Sequence, residues 1–304
     1  LTFNLGDNFR IRGEHLQYLG RRKNFSLVLN SQYDRFDVAT YNTYKQDGLY
    51  KQQFFKADGK FQYSTQRNLS VGLGERFEWV KFKPAITSSF QFTGDNNFFS
   101  TYVFLKHNNL DKTIYPHSGT KFDLEAAWVG RQSPDVAFFE GGSPADPDSF
   151  AISSDPYPRI VFNFDSYIPL SSRSTLNFQF QSGANFHYSR NIMNEFSIGG
   201  LVPFFRNQVL FTGLQEGSLY TPAMASLQAA YRFEIVNNTY VTGRANVLMN
   251  NFISKSVFFE NPDFLTGYGL SFGYNFALGP LELSVMYCDQ SGKLGSFVNI
   301  GIPF

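Results

Sequence analysis

Long hydrophobic runs are the first feature that this sequence lacks. Across 304 residues, no stretch approaches the roughly 18 consecutive apolar residues that a membrane-spanning helix needs. Helical membrane spans are therefore excluded. Charge is also scarce, because charged residues make up 17% of the chain, against roughly 25% in an average soluble domain. The composition argues against an ordinary soluble protein.

Cysteine and an excess of either charge are missing as well. The single cysteine, Cys288, excludes an intrachain disulfide framework and a cysteine-rich metal site. The 26 basic residues nearly balance the 25 acidic ones, whereas nucleic-acid binding needs a clustered basic face. The four histidines share no metal-ligand spacing; they are His15, His107, His117 and His187. We therefore predict no metal, no cofactor and no nucleic-acid partner.

Aromatic side chains are abundant, with 36 Phe and 17 Tyr, and they recur with a period of two. Between residues 176 and 189, the large apolar groups occupy one set of alternate positions and the amides occupy the other. The first set is Leu176, Phe178, Phe180, Ser182, Ala184, Phe186 and Tyr188; the second is Asn177, Gln179, Gln181, Gly183, Asn185, His187 and Ser189. This period indicates a β-strand whose two faces meet different environments.

The same alternation predicts about fourteen strands. They lie near residues 1–6, 8–19, 23–33, 50–65, 67–81, 98–110, 119–131, 158–170, 174–189, 225–236, 238–250, 267–278, 281–289 and 295–304. Short turns alternate with long connections. We expect the long connections near residues 34–49, 83–97, 131–158, 190–224 and 251–266. Short turns at one end and long loops at the other are typical of bacterial outer-membrane barrels. We therefore predict an all-β fold, a closed antiparallel transmembrane β-barrel that forms one domain over residues 1–304.

A soluble β-sandwich is the alternative architecture, since its strands also point one face inward. Sandwich strands are usually about five or six residues long, which is shorter than those predicted here. A sandwich core also could not bury this much phenylalanine, and the polar faces carry Asn, Gln, Ser and Gly rather than lysine. The sequence therefore favours a barrel in the bacterial outer membrane, with its aromatic face toward the outer-membrane lipids.

Alternation also predicts a charged inner wall. The side chains expected to point inward are Asp58, Asp123, Glu125, Asp165, Arg232, Glu234, Arg244 and Glu282. A solvated wall of mutually neutralising charges is common in barrels. We favour that interpretation over a substrate path for any one of these residues.

Several short motifs follow one another in a fixed order. They are Asp111 followed by Pro116-x-x-Gly119 at a turn, Tyr167-Ile168-Pro169-Leu170 at a strand end, Phe196-Ser197-Ile198-Gly199-Gly200 in a long connection, and Gly279-Pro280-Leu281 and Gly301-Ile302-Pro303-Phe304 in the last two strands. In this order they resemble the sixteen-stranded barrels of the Omp85 superfamily (bacterial surface antigens), over most of the chain from about residue 98. The resemblance implies two strands before Leu1, so that the chain would be the C-terminal part of a longer protein.

The resemblance also implies that residues of about 190–224 form an extracellular loop that folds back into the barrel lumen. The family's loop usually carries Val-Arg-Gly-Tyr or Val-Arg-Gly-Phe, whereas this chain has Phe204-Phe205-Arg206-Asn207-Gln208. Arg206 keeps the arginine, and a planar guanidinium suits a carboxylate partner. We expect Arg206, Gly199, Gly200 and Gly213 to dock the loop, with Glu234 and Asp165 as candidate partners of the arginine. An ordinary exposed loop arginine is the competing interpretation.

The C-terminal residue, Phe304, follows the apolar series Val298, Ile300 and Ile302 on one face of the last predicted strand. A terminal aromatic of this kind is the signal that the barrel assembly machinery recognises in many outer-membrane proteins. A lipid-facing strand end is the structural interpretation of the same residue. The two are compatible, and we expect both.

The chain most resembles the C-terminal barrel of patatin-like phospholipases, because Gln228 stands where many other relatives have Glu. A patatin-type hydrolase needs a serine on a Gly-x-Ser-x-Gly elbow at a strand-to-helix turn, and we predict no such elbow and no catalytic residue here. The resemblance implies an autotransporter-like translocator or anchor for an N-terminal domain or exported protein; pairing with a second copy is left open. The alternatives are an insertion or secretion barrel with POTRA domains, and a passive porin-like channel.

Overall fold

The computed structural model describes residues 2–4, 9–42, 44–65, 68–86, 90–145, 152–187, 193–250, 252–253, 264–277 and 279–301. The terms "described residues" and "described ranges" refer to these segments throughout. Within them the chain consists mainly of β-strands. In the same ranges, no helix has the length and hydropathy that a membrane crossing requires.

The described residues form eighteen strands, and most of them join one sheet. The strands are β1 (Thr2–Asn4), β2 (Phe9–Leu19), β3 (Phe25–Asn42), β4 (Lys45–Ser64), β5 (Leu69–Ile86), β6 (Phe90–Asn108), β7 (Gly119–Glu140), β8 (Ser143–Ala145), β9 (Tyr157–Pro169), β10 (Ser174–Asn185), β11 (Phe196–Ile198), β12 (Gln208–Val209), β13 (Leu219–Thr221), β14 (Ala223–Val236), β15 (Thr239–Asn250), β16 (Phe264–Phe276), β17 (Gly279–Cys288) and β18 (Lys293–Ile300). Fourteen of them follow the hydrogen-bonded order β1-β2-β3-β4-β5-β6-β7-β9-β10-β14-β15-β16-β17-β18. β8 pairs with β7, and β12-β11-β13 form a separate small sheet. The predicted all-β class and the fourteen-stranded antiparallel sheet are confirmed.

The chain forms two compact units. Unit 1 comprises Leu1–Lys106, Leu124–Ile160 and Asn185–Asn194, and unit 2 comprises His107–Asp123, Val161–Ala184 and Glu195–Phe304. Each unit is described by itself below. The single domain over residues 1–304 stays a prediction.

Both units expose apolar side chains on one face of their strands. In unit 2, Leu227 and Tyr231 of β14 are 51% and 46% exposed, whereas the alternate Ser226 and Ala230 are buried. In unit 1, Leu29 of β3 is similarly exposed. We call the face with exposed Leu, Phe and Tyr the outer face, and the opposite one the inner face. Large exposed apolar surfaces mark contact with a membrane or a partner.

The predicted long connections at residues 34–49 and 83–97 are wrong. β3 continues to Asn42 and pairs with β4, which begins at Lys45. β5 likewise continues to Ile86, and β6 begins at Phe90. The connection expected at 131–158 is also shortened, since β7 runs to Glu140. These strands reach 18 to 22 residues, about twice the 9–11 that cross a bilayer.

The reason for this error is that the two faces exchange polarity partway along the strands of unit 1. Tyr33, Phe55 and Trp79 lie side by side on the outer face of β3, β4 and β5. Beyond this aromatic row, away from the short turns, the outer face becomes charged. The inner face becomes apolar there and forms a core of Phe54, Val80, Phe98, Val129, Tyr157 and Met193. In such a strand the apolar residues move from one set of alternate positions to the other. The alternation of the first half therefore stops, and the second half resembles a loop in the sequence.

Candidate functional site

The described segment that precedes β14, residues 193–222, is folded. We call its part in unit 2, residues 195–222, the returning segment. Its strand β11 pairs in parallel with β12 and antiparallel with β13, and Gly200 forms a further bridge to Phe211. Phe196, Ile198 and Phe211 are almost completely buried. The returning segment is therefore a small structured unit with its own core.

Glycines on the inner face of unit 2 allow the returning segment to lie directly against the backbone of the strands. A Cβ added at Gly267 of β16 would overlap the carbonyl oxygen of Thr212, and one added at Gly269 would lie 2.5 Å from Thr212 Cγ2. A Cβ at Gly183 of β10 would enter the ring of Phe196. Glycine inside a strand commonly marks such a close approach of another backbone. These glycines form the seat of the returning segment.

Uncharged amide side chains of the inner face make polar contacts with the returning segment. The backbone N–H of Leu210 donates to Gln181 Oε1 at 3.1 Å. The hydroxyl of Thr212 donates to Gln228 Oε1 at 3.2 Å. The side chain of Gln228 thus bonds the returning segment. The contacts therefore fix the segment by shape and neutral hydrogen bonds.

The three predicted docking glycines all lie in tight contacts of the returning segment. Gly199, Gly200 and Gly213 have φ angles of 128°, 81° and 110°, a left-handed region that favours glycine. A Cβ at Gly199 would overlap the carbonyl oxygen of Gln215, and one at Gly213 would lie 2.5 Å from the carbonyl oxygen of Tyr287 in β17. Gly213 thus adds β17 to the strands that contact the segment, after β10, β14 and β16.

Arg206 is half-buried in the turn before β12. Its two candidate partners have other contacts. Glu234 Oε1 accepts the backbone N–H of Asn238 at 2.9 Å, and Asp165 Oδ1 accepts the side-chain amide of Gln179 at 2.9 Å. Docking of Arg206 onto either carboxylate stays a prediction. Phe304 lies outside the described residues, so its role as an insertion signal also stays a prediction.

Glu195 at the start of the returning segment was not singled out by the sequence. It is only 7% exposed, and burial raises the pKa of its carboxyl to about 8. Asn207 Nδ2 donates to its backbone carbonyl at 3.3 Å. A carboxyl in this environment favours the protonated form, because ionisation without solvation is costly.

Docking of the returning segment should therefore weaken as the pH rises. The folded pKa lies above the ordinary value of 4.5, so the stabilisation is complete at low pH and is lost as the pH rises through about 8. We expect limited proteolysis of the segment to accelerate over this interval in the parent protein, and Glu195→Gln to remove the acceleration. Glu216→Gln, in the same segment, is the matched control. A pH profile unchanged by Glu195→Gln would contradict the assignment.

The spacing Gly-x-Ser-x-Gly occurs once in a described strand, at Gly269–Gly273. The structure places it inside β16, which continues to Phe276 without a strand-to-helix turn. Ser271 is buried, exchanges a hydrogen bond with Ser284 at 2.6 Å and accepts one from Arg244. This is not the strained elbow that exposes a nucleophile. That these residues carry no catalysis stays a prediction.

The second glycine of this pentapeptide accommodates the turn that contains the Asp111 motif. A Cβ at Gly273 would overlap the hydroxyl of Tyr115, whose pKa burial raises to about 12. Arg232 donates to the carbonyl oxygen of Pro116 and lies 5.5 Å from the Tyr115 ring centroid. The turn is thus folded against the inner face of unit 2.

Asp111 organises this turn from within. Its Oδ1 accepts the backbone N–H groups of His117 at 2.8 Å and Ser118 at 3.1 Å. Burial alone would raise the pKa of Asp111, but these two donors hold it below its ordinary value. The motif therefore has a structural explanation, in which a carboxylate satisfies the backbone of a turn.

The inner wall of unit 1 carries a compact ion network. Both terminal nitrogens of Arg76 donate to Glu125 at 2.7 Å, and Arg76 Nε donates to Asp58 at 3.4 Å. The Tyr102 hydroxyl donates to the same Asp58 oxygen at 2.6 Å, and its ring lies 4.3 Å below the guanidinium carbon. In unit 2, Arg244 pairs with Glu282 at 2.8 Å. These pairs have the form of a mutually neutralising wall.

Sequence reasoning missed a buried polar cluster in unit 1 around Arg159. Its Nη1 donates to Asn185 Oδ1 at 2.8 Å and to the carbonyl oxygen of Asn194 at 3.0 Å, and Asn194 also bonds Tyr157. An arginine beside apolar β-strand residues was the available signal.

Within the described ranges, no group of three or more His, Cys, Asp or Glu side chains lies close enough together to hold a metal ion.

Comparison with known proteins gives one family model and several solved structures of similar fold. A family model described as the OMP85 superfamily matches residues 1–304. The fold is similar to that of BamA from Haemophilus ducreyi, with a TM-score of 0.65 and 15% identity over 96% of this chain and 61% of that one. It is also similar to CdiB from Acinetobacter baumannii, with a TM-score of 0.57 and 11% identity over 96% of this chain and 49% of that one.

A further structure, CdiB from Escherichia coli, gives a TM-score of 0.57 at 10% identity, over 96% of this chain and 52% of the other. The chain therefore spans about half to three fifths of the length of these solved structures. No curated protein matches it. Identities this low establish a shared fold.

Proposed function

Because the chain belongs to the Omp85 superfamily, we propose that it forms a closed barrel in the bacterial outer membrane. The barrel would have the sixteen strands of the family and would act as translocator or anchor for a domain outside these residues. The outer face of exposed Leu, Phe and Tyr supports the membrane placement. The aromatic row Tyr33, Phe55 and Trp79 has the composition of an interface girdle.

The observation that carries the functional part is the seated returning segment. A passive pore needs a permanently open, water-filled lumen. Here β10, β14, β16 and β17 hold a folded segment through Gly183, Gln228, Gly267 and the backbone of Tyr287. Such a segment suits a barrel whose path opens during export or remains closed behind an anchored domain.

For the attached domain, we propose a patatin-like lipid hydrolase, on the resemblance of the motifs and on Gln228. The experiment is to isolate the full-length protein from native outer membranes and measure its mass. A fluorophosphonate probe then labels any activated serine. We expect a protein longer than 304 residues that is labelled, and labelling that persists in Ser271→Ala. An unlabelled full-length protein would overturn the hydrolase.

An insertion or secretion barrel with POTRA domains is the second candidate. The similar BamA structure is described as lacking POTRA domains 1–3, so that protein combines such domains with this fold. Mass spectrometry of the same full-length protein separates the candidates, because repeated POTRA sequences before residue 1 would replace a hydrolase domain. Single-channel recording tests the third candidate: a steady open conductance would support a passive channel.

A further inference from the structure

The outer face of unit 1 carries a group of cations just beyond the aromatic row. Arg35 follows Tyr33 on β3, and Lys81 and Lys83 follow Trp79 on β5. On β4, Lys51 lies beyond Phe55 on the same face. Arg35, Lys51 and Lys83 are exposed, and Lys81 is half-buried. We call Arg35, Lys51, Lys81 and Lys83 the basic band.

The height of the basic band follows from the strand register. Tyr33, Phe55 and Trp79 are cross-strand neighbours in one row. In the next row on the same face, Gln53 of β4 lies between Arg35 of β3 and Lys81 of β5. Two residues along a strand span roughly 6.7 Å. If the aromatic row lies at the membrane interface, the next positions on the same face lie in the layer of lipid headgroups. Lys51 and Lys83 lie two residues farther.

The charges of the basic band are not balanced by its surroundings. Lys51 and Lys83 face each other directly across β4 and β5, and like charges at such positions destabilise a sheet. Lys81 pairs with Asp95 at 3.4 Å, and Asp37 lies opposite Lys51. Four cations therefore face two carboxylates on this part of the described strands. An anion that two lysines share would remove their repulsion.

We propose that the basic band binds the phosphate groups of lipid headgroups in the leaflet at this end of the barrel. The proposal rests on the membrane placement given above and not on the identity of the attached domain. Phosphate attracts lysine as a point charge and arginine through its fork. The long side chains of Lys51 and Lys83 start on adjacent strands, so both can reach one phosphate.

The experiment compares the purified protein in nanodiscs of phosphatidylcholine with nanodiscs that also contain lipid A, a diphosphorylated saccharolipid. Native mass spectrometry counts the retained lipid A. Each cation near an anionic membrane surface contributes about fivefold in affinity. We therefore expect Lys51→Gln and Lys83→Gln each to reduce lipid A retention about fivefold, and the double variant to reduce it by at least tenfold.

The control is the double variant Lys45→Gln/Lys112→Gln, which removes the same charge from the exposed first residue of β4 and from an exposed turn. It should retain lipid A as the parent does. The double variant of the basic band should remain folded in phosphatidylcholine, because both lysines are exposed and their mutual repulsion is removed. Equal retention by both double variants would overturn the basic band as a binding site. A parent protein that is monodisperse without detergent and enters no nanodisc would overturn the membrane placement instead.

Discussion

Gly267→Val should release the returning segment from the inner face of unit 2. A Cβ at this position overlaps the carbonyl oxygen of Thr212, and a backbone atom cannot rotate away as a side chain can. Overpacking of this kind usually costs about 1–3 kcal/mol, and the contacts of Thr212 with Gln228 would be lost with it. We expect faster proteolysis within residues 195–222 and a lower unfolding temperature by about 4–8 °C.

The same substitution should change conduction if the segment closes the barrel. Single-channel recording of Gly267→Val should show longer and larger openings than the parent protein. Gly243→Val is the matched control, because Gly243 lies on the neighbouring strand with no atom within 4 Å of an added Cβ. Rapid proteolysis in both variants would indicate general destabilisation. Proteolysis at the parent's rate in Gly267→Val would show that the seat does not hold the segment.

The fold was predictable where the environment of each face stays constant along a strand. β14 to β17 lie within a few residues of their predicted ranges, because Leu227, Tyr231 and their counterparts remain on one face from end to end. β3 to β6 were predicted too short, because beyond Tyr33 and Trp79 the apolar side chains move to the inner face. Periodicity identifies a strand only while the same alternate positions stay apolar, and in β3 to β6 these positions change partway along the strand.

The site was predictable only in part, and for a similar reason. Gly199 and Gly200 stood out because they belong to a family motif, and Gly213 because it lies in the loop that the resemblance predicts to fold back. Gly183 and Gly267 lie on the strands and allow the same close contact from the inner face. In the sequence, however, they are ordinary small residues on polar faces. A glycine inside a predicted strand was the available signal. Gly183 contacts Phe196, 13 positions away, and Gly267 contacts Thr212, 55 positions away. No local pattern contains these partners.

Arg76→Ala should be the most destabilising single change on the inner wall of unit 1. Arg76 neutralises Glu125 through two bonds of 2.7 Å and contacts Asp58 at 3.4 Å. The side chains of Arg76, Glu125 and Asp58 are 21%, 16% and 7% exposed, so water replaces little of the lost contact. Removing one partner of a buried pair costs about 3–5 kcal/mol. We expect a loss at the lower end of that range in urea unfolding of the detergent-folded protein.

Two further variants separate the ion pair from the effects of truncation. Arg12→Ala removes an arginine whose 3.5 Å pair with Glu14 is about half exposed, and pairs of that kind contribute at most about 1 kcal/mol. Arg76→Met combined with Glu125→Leu removes both charges and keeps much of the volume, so it should be less destabilising than Arg76→Ala alone. If Arg76→Ala cost no more than Arg12→Ala, the network would not stabilise the wall.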